Sequence, residues 1–139
     1  MTEFISDIKC IPYNETKVFR VLSDLSKLEL IKDKLPQERI SNFSCDSDSC
    51  SFVVDPFGNI TFQVSNRTPN SGIDFLSKGL PFDLLASIEL EKKSDNETLM
   101  KLIIRADLNP IIKQMVSSQI KEGIDKLAEA IASFSYDEL

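Results

Sequence analysis

Between residues 38 and 106 apolar side chains recur at every second position, and from Pro110 to Phe134 they recur at helical spacing. A chain with that change of period makes several half-buried strands and then one long amphipathic helix. The apolar side of the strands needs cover, and the last helix is the element long enough to supply it. Ile60, Phe62 and Val64 alternate with Thr61, Gln63 and Ser65. Leu84, Ala86, Ile88 and Leu90 form one side of a further strand, and Met100, Leu102, Ile104 and Ala106 form one side of the next. Arg39–Cys45, Cys50–Val54 and Ile73–Ser77 bring the number of strands in this stretch to six. Asp46-Ser47-Asp48-Ser49, Asp55-Pro56-Phe57-Gly58, Pro69-Asn70-Ser71-Gly72 and Ser94-Asp95-Asn96 read as turns, and Lys78-Gly79-Leu80-Pro81 as an interruption.

Phe4 to Ile11 reads as an additional first strand, with Phe4, Ser6, Ile8 and Cys10 on one side and Pro12 at its end. Asn14 is placed to cap a short helix carrying Val18, Phe19, Leu22 and Leu25. A second short helix carries Leu25, Leu28, Ile31 and Leu35 and closes at Pro36. Pro110 fits the first position of the long helix, capped by Asn109 or Asp107. About 25 helical residues span roughly 37 Å, enough to cross a sheet. Tyr136-Asp137-Glu138-Leu139 reads as a frayed tail. No repeat or internal boundary appears, so residues 1–139 are expected to be a single domain.

Composition removes several function classes. The chain has no histidine, which excludes Ser-His-Asp and Cys-His nucleophile systems and the usual histidine metal sites. Its 22 acidic and 16 basic side chains leave a formal charge of -6, with no basic stripe for nucleic acid. The four glycines are scattered, so no phosphate-cradling loop is formed. The start, Met1-Thr2-Glu3-Phe4-Ile5-Ser6-Asp7, lacks the basic region of a signal peptide, and no apolar run is long enough for a spanning helix. A cytoplasmic chain without stable membrane insertion is expected. On that reading the Asn-x-Ser/Thr triplets at Asn14, Asn42, Asn59, Asn66 and Asn96 are ordinary polar composition. Cys10, Cys45 and Cys50 are expected to be reduced thiols, with a redox-dependent Cys45–Cys50 bridge across the turn as the alternative.

The order of strand, two short helices, six strands and long helix resembles the START and Bet v 1-like (SRPBCC, helix-grip) superfamily. The segment from Ile11-Pro12 through Val18-Phe19, with Asp24, Leu25 and Leu28, is similar to that superfamily's entry into its first helices. The resemblance spans almost the whole chain and implies an α+β helix-grip fold. In that fold a curved, mainly antiparallel, seven-stranded sheet wraps around the C-terminal helix, with two short helices after strand one. It implies an apolar cavity between sheet and helix. Members include lipid and hormone carriers, polyketide cyclases and aromatases, and heat-shock co-chaperones.

If such a cavity exists, its walls are the inward sheet positions and the inner face of the last helix. The candidates are Phe52, Val54, Phe62, Phe75, Leu84, Ile88, Met100, Leu102, Ile104, Ile112, Met115, Val116, Gln119 and Ile120. The competing reading is that these side chains meet and fill the space, since close packing is the default state of an interior. Gln119 is either a polar handle for a ligand or a solvated edge of the stripe. Gly79-Leu80-Pro81-Phe82 is either a cavity rim or a bulged connection. Gly123 marks a close approach to the sheet or a bend. The function expected is non-catalytic binding of a small hydrophobic or amphipathic molecule, with no cofactor, no metal and no catalytic residue. Two alternatives stand beside it. One is a cyclase- or aromatase-like enzyme working without histidine, through groups such as Tyr13, Gln119, Arg105 or Asp107. The other is a protein-interaction module with a filled core. No feature names a protein partner.

Overall fold

The computed structural model of the chain describes residues 1–34, 40–54 and 57–138. Chain order is β1 (Thr2–Ile5), β2 (Lys9–Ile11), α1 (Glu15–Leu22), a 3-10 helix (Leu25–Lys34), β3 (Ile40–Cys45), β4 (Ser49–Val54), β5 (Gly58–Thr68), β6 (Gly72–Lys78), β7 (Leu84–Ser94), β8 (Glu97–Ala106), α2 (Pro110–Ala132) and a final 3-10 turn (Tyr136–Glu138). The strands form one antiparallel sheet in the order β1-β8-β7-β6-β5-β4-β3, with β2 also on β8. The closing residues of the second short helix, Leu35 and Pro36, lie outside the described residues, as do Arg39 and the Asp55-Pro56 part of the type I turn.

The expected first strand is two strands, which makes the sheet eight-stranded. Ser6 breaks it: its N–H donates to the Leu102 carbonyl at 2.9 Å, and its hydroxyl accepts the Leu102 N–H at 2.8 Å. Pairing resumes one residue out of step, since Ile5 faces Ile103 while Lys9 faces Met100. Four steps on one strand thus oppose three on the other, a bulge that swaps the faces beyond it. The expectation that Phe4, Ser6, Ile8 and Cys10 share a side is corrected accordingly. Ile8 is 63% exposed and Cys10 is exposed, while Ile11 is wholly buried opposite Thr98. A second bulge, between Val64 and Asn66, re-aims Arg67. Its guanidinium donates to the carbonyls of Ser23 and Ser47 and pairs with Asp48, tying β5 to the two short helical segments and the β3–β4 turn.

Helix α1 begins where sequence chemistry places it. The Asn14 side chain accepts from the Thr16 N–H, and Val18, Val21 and Leu22 form the buried side. The cap of α2 is Asn109, whose side chain accepts from the Ile112 N–H, with Pro110 at its start. Asp107 is not the cap; its N–H donates to the Asp83 carbonyl. Along α2 burial deepens toward the C-terminus. Ile111 and Met115 are exposed, whereas Val116, Ile124, Ala128 and Ile131 are buried.

The tail is packed rather than frayed. After Ser133 the chain turns back, and Tyr136 is buried against Tyr13 and Phe134, with ring centroids 5.3 and 5.7 Å away. Its hydroxyl donates to the Ile131 carbonyl, and burial pushes the phenol above the ordinary tyrosine range. Lys17 pairs with Asp137 and lies over the Tyr13 ring. A large ring with a satisfied hydroxyl buries more apolar surface here than it would in solvent, which is why the last residues stay down. Leu139 lies outside the described residues.

Candidate functional site

Between the concave side of the sheet and α2 lies a cavity of about 320 Å³. Strands β3 to β8 supply its sheet wall, mainly from alternate positions. Phe52 and Val54 come from β4, Phe62 from β5, Phe75 from β6, Leu84 and Ile88 from β7, Leu102 and Ile104 from β8, and Val116, Gln119 and Ile120 from α2. Three candidates stand elsewhere. Met100 is buried in the packed core beyond the cavity, Ile112 is half-buried on the first turn of α2, and Met115 is 61% exposed. The stripe on α2 is continuous in sequence, but its first turns have little of the sheet to pack against. Gln119 is exposed at the edge of the cavity.

Other wall residues come from segments whose position the pattern does not reveal. Leu25 and Leu28 of the first 3-10 helix, Ile40 and Phe43 of β3 and Cys50 of β4 close one side. Phe43, Phe52 and Phe62 form an aromatic row across β3, β4 and β5, with centroids 5.9 and 5.8 Å apart. Ala86 of β7 and Ile124 and Leu127 of α2 also line the space, and the alternation and the helical stripe could have found these three. At the mouth Phe57 meets Phe82 edge-on at 5.7 Å, with Leu80 beside them. The chain reaches that mouth through Gly79, whose φ is +101° and whose place against the Asn59 carbonyl leaves no room for a Cβ. Gly123 shows the opposite: a Cβ there would meet nothing, so neither a close approach nor a crowded contact requires it.

The walls are almost wholly apolar. Lys126 borders the cavity from α2, but its ammonium pairs with Glu122 on the exposed side. Tyr13 packs on Tyr136, Arg105 is exposed and paired with Glu3, and Asp107 is exposed, so these groups do not converge with Gln119. Carboxyls with shifted titration sit outside. Asp46 is lowered by N–H donation from Asp48 and by the Ser49 hydroxyl and N–H, Glu97 chiefly by the Cys10 thiol, and Asp125 chiefly by the Asp7 N–H. Among the described residues no group of three or more Cys, Asp or Glu is arranged to hold a metal ion. None of the described helices is long and apolar enough to cross a membrane.

The expectation of reduced thiols is corrected at two positions. Cys45 and Cys50 face each other across the β3–β4 hairpin, 4.1 Å apart at Cα, and are joined in a disulfide. Their direct opposition at the end of an antiparallel pair makes the bond geometrically accessible. Cys10 is free and exposed.

No family model and no curated protein matches the chain. Solved structures do. Norcoclaurine synthase from Thalictrum flavum, in complex with dopamine and hydroxybenzaldehyde, superposes with a TM-score of 0.73 at 12% identity, over 99% of this chain and 89% of that one. A conserved protein from Geobacillus kaustophilus gives 0.67 at 14%, over 99% and 96%. A START superfamily protein from Mycobacterium smegmatis gives 0.62 at 12%, over 94% of each chain. The chain shares the helix-grip fold of these structures. In this helix grip the start of α2 stands free of the sheet, with Ile111 and Met115 exposed, and the cavity runs beneath the rest of the helix from Val116 to Ile131.

Proposed function

We propose that this helix-grip chain binds a small, uncharged, apolar molecule in the cavity beneath α2 and performs no chemistry on it. The observation that carries this reading is a space of about 320 Å³ with almost wholly apolar walls and no ionisable group of the described residues directed into it. Ligand pockets run from about 300 to 1,000 Å³, so this one is at the small end. Its size and its row of phenylalanines favour a single acyl chain or a one- or two-ring compound over a two-chain lipid. A charged head would have to remain at the mouth, because burying it unpaired is costly. The separation of Tyr13, Arg105 and Asp107 from Gln119 supports binding over cyclisation, for which position and reactive groups would both be needed.

The test is titration with the neutral fluorophore N-phenyl-1-naphthylamine, with native mass spectrometry of the purified chain. Saturable uptake of one probe per chain, abolished by Ala86→Trp in a variant that remains folded by circular dichroism, is the expected result. Absence of uptake by the unaltered chain, or uptake undiminished in Ala86→Trp, overturns the proposal.

A further inference from the structure

We infer that the Cys45–Cys50 bond is a reversible latch on the cavity, opened by an external dithiol. The inference rests on the binding reading above for its consequence, but its chemistry stands on the hairpin itself.

The bond encloses only Asp46, Ser47, Asp48 and Ser49. Constraint of the unfolded chain grows with the size of the closed loop, so a crosslink this local contributes less of that kind than one closing a long loop. The turn is also held without it. The Asp46 carboxylate accepts the N–H groups of Asp48 and Ser49, and the Asp46 N–H donates to the Ser49 carbonyl. A bond that is not needed to hold the turn has its effect elsewhere.

That effect falls on the cavity. Cys50 is buried in the wall, whereas Cys45 is half-buried on β3, the edge strand of the sheet. The hairpin joins the first 3-10 helix at two points: the Cys45 N–H donates to the Glu29 carboxylate at 2.6 Å, and the Leu25 N–H donates to the Ser47 carbonyl at 3.2 Å. Leu25 and Leu28 of that helix are cavity wall. Both sulfurs lie on the cavity side of the hairpin, and Cys45, the more exposed of the two and on the edge strand, is the one a reductant reaches.

In the opening step a thiolate of the dithiol attacks the Cys45 sulfur. The Cys45–Cys50 bond breaks, and the Cys50 sulfur leaves with the electron pair and takes a proton. The second thiol of the dithiol then displaces Cys45, which is protonated in turn. Two protein thiols and one oxidised dithiol result, with two electrons transferred. The Leu25 carbonyl, 4.0 Å from the Cys50 sulfur, is the acceptor a new thiol there would use. With the latch open, β3 and β4 lose their covalent tie at the hairpin end on which the 3-10 helix is hydrogen-bonded, and the wall is less pre-organised for ligand.

The experiment equilibrates the full chain in oxidised glutathione or in dithiothreitol. It then reads alkylatable thiols by mass, N-phenyl-1-naphthylamine affinity, and amide exchange at Leu25 and Leu28. The expected result is one thiol, Cys10, in the oxidised chain and all three in the reduced chain. Probe affinity should be about threefold or more weaker in the reduced chain, the cost of a less pre-organised site. The variants Cys45→Ser and Cys50→Ser should bind like the reduced chain in either buffer. Three thiols in both buffers, or equal affinity in both forms, overturns the latch. If the probe binds neither form, the binding reading fails by itself and exchange decides. Faster exchange at Leu25 and Leu28 after reduction supports the latch, and unchanged exchange overturns it.

Discussion

Where α1 and the returning C-terminus meet the sheet, Ile11, Val18, Leu22, Met100, Ala128, Ile131 and Tyr136 are all at most 1% exposed. At the other end of the same helix–sheet layer, Ile111 is 73% and Met115 61% exposed, and Phe57, Leu80 and Phe82 surround an opening. Both regions are made from the same strands and the same helix. They differ in what fills the angle between them. In the packed region α1, β2 and Tyr136 are wedged in; in the open region nothing on the described chain plays that part. Stability is concentrated in the first region, and the second is free to form a site.

Truncation should separate the two most widely. Met100→Ala or Leu22→Ala should cost about 2–5 kcal/mol, the range for a large side chain removed from a closed core. Leu80→Ala at the half-buried mouth should cost under about 1 kcal/mol, because little packing is lost there. Urea unfolding of the three variants checks this, and equal losses would dissolve the distinction.

Enlargement probes the same contrast in reverse. Ala128→Leu enters a position with no free surface and should destabilise by about 1–3 kcal/mol. Ala86→Leu enters the cavity wall and should change stability by under about 1 kcal/mol while weakening probe binding. Thermal melts with parallel probe titrations measure both.

Gly123 borders the cavity on α2, and a Cβ there has open space. Gly123→Ala should raise stability by up to about 1 kcal/mol through helix propensity. A loss measured in the same unfolding assay would show that the helix needs its freedom at that point.

The smallest effect concerns pH. Asp125 accepts the Asp7 N–H at 3.1 Å and pairs with Lys121, which holds α2 to the β1–β2 bulge. Its pKa is lowered in the folded chain, so its contribution is present above the ordinary aspartate range and is lost as pH falls through and below it. The melting-temperature gap between the native chain and Asp125→Asn should therefore be visible near neutral pH and narrow progressively as pH falls below the ordinary aspartate range. A gap that persists in acid would mean that packing, not the charge, is what the residue supplies.

Much of this was legible in residue spacing. Alternation at Leu84–Leu90 and Met100–Ala106 set the inner face of β7 and β8, because strand geometry admits one register when one side is buried. Pro110 and the capping Asn109 marked the start of α2. Eleven of the fourteen wall candidates stand around one cavity, since they are the inward members of those patterns. The face of Ile8 and Cys10 was misjudged because a hydroxyl, Ser6, takes the place of a backbone group and shifts the pairing by one. Leu28, Phe43 and Leu80 lie on short or irregular segments, whose position over the sheet no local pattern records.

The chain alone thus determined a mainly antiparallel sheet covered by one long helix and an interior built without imidazole, because periodicity and composition are properties of residues in order. The tertiary structure decided where that interior closes and where it stays open. It also brought Cys45 and Cys50 face to face across a hairpin and folded Tyr136 back onto Tyr13. Those outcomes depend on which surfaces meet in space, and bulges, turns and the reach of α2 set that only once the whole sheet has formed.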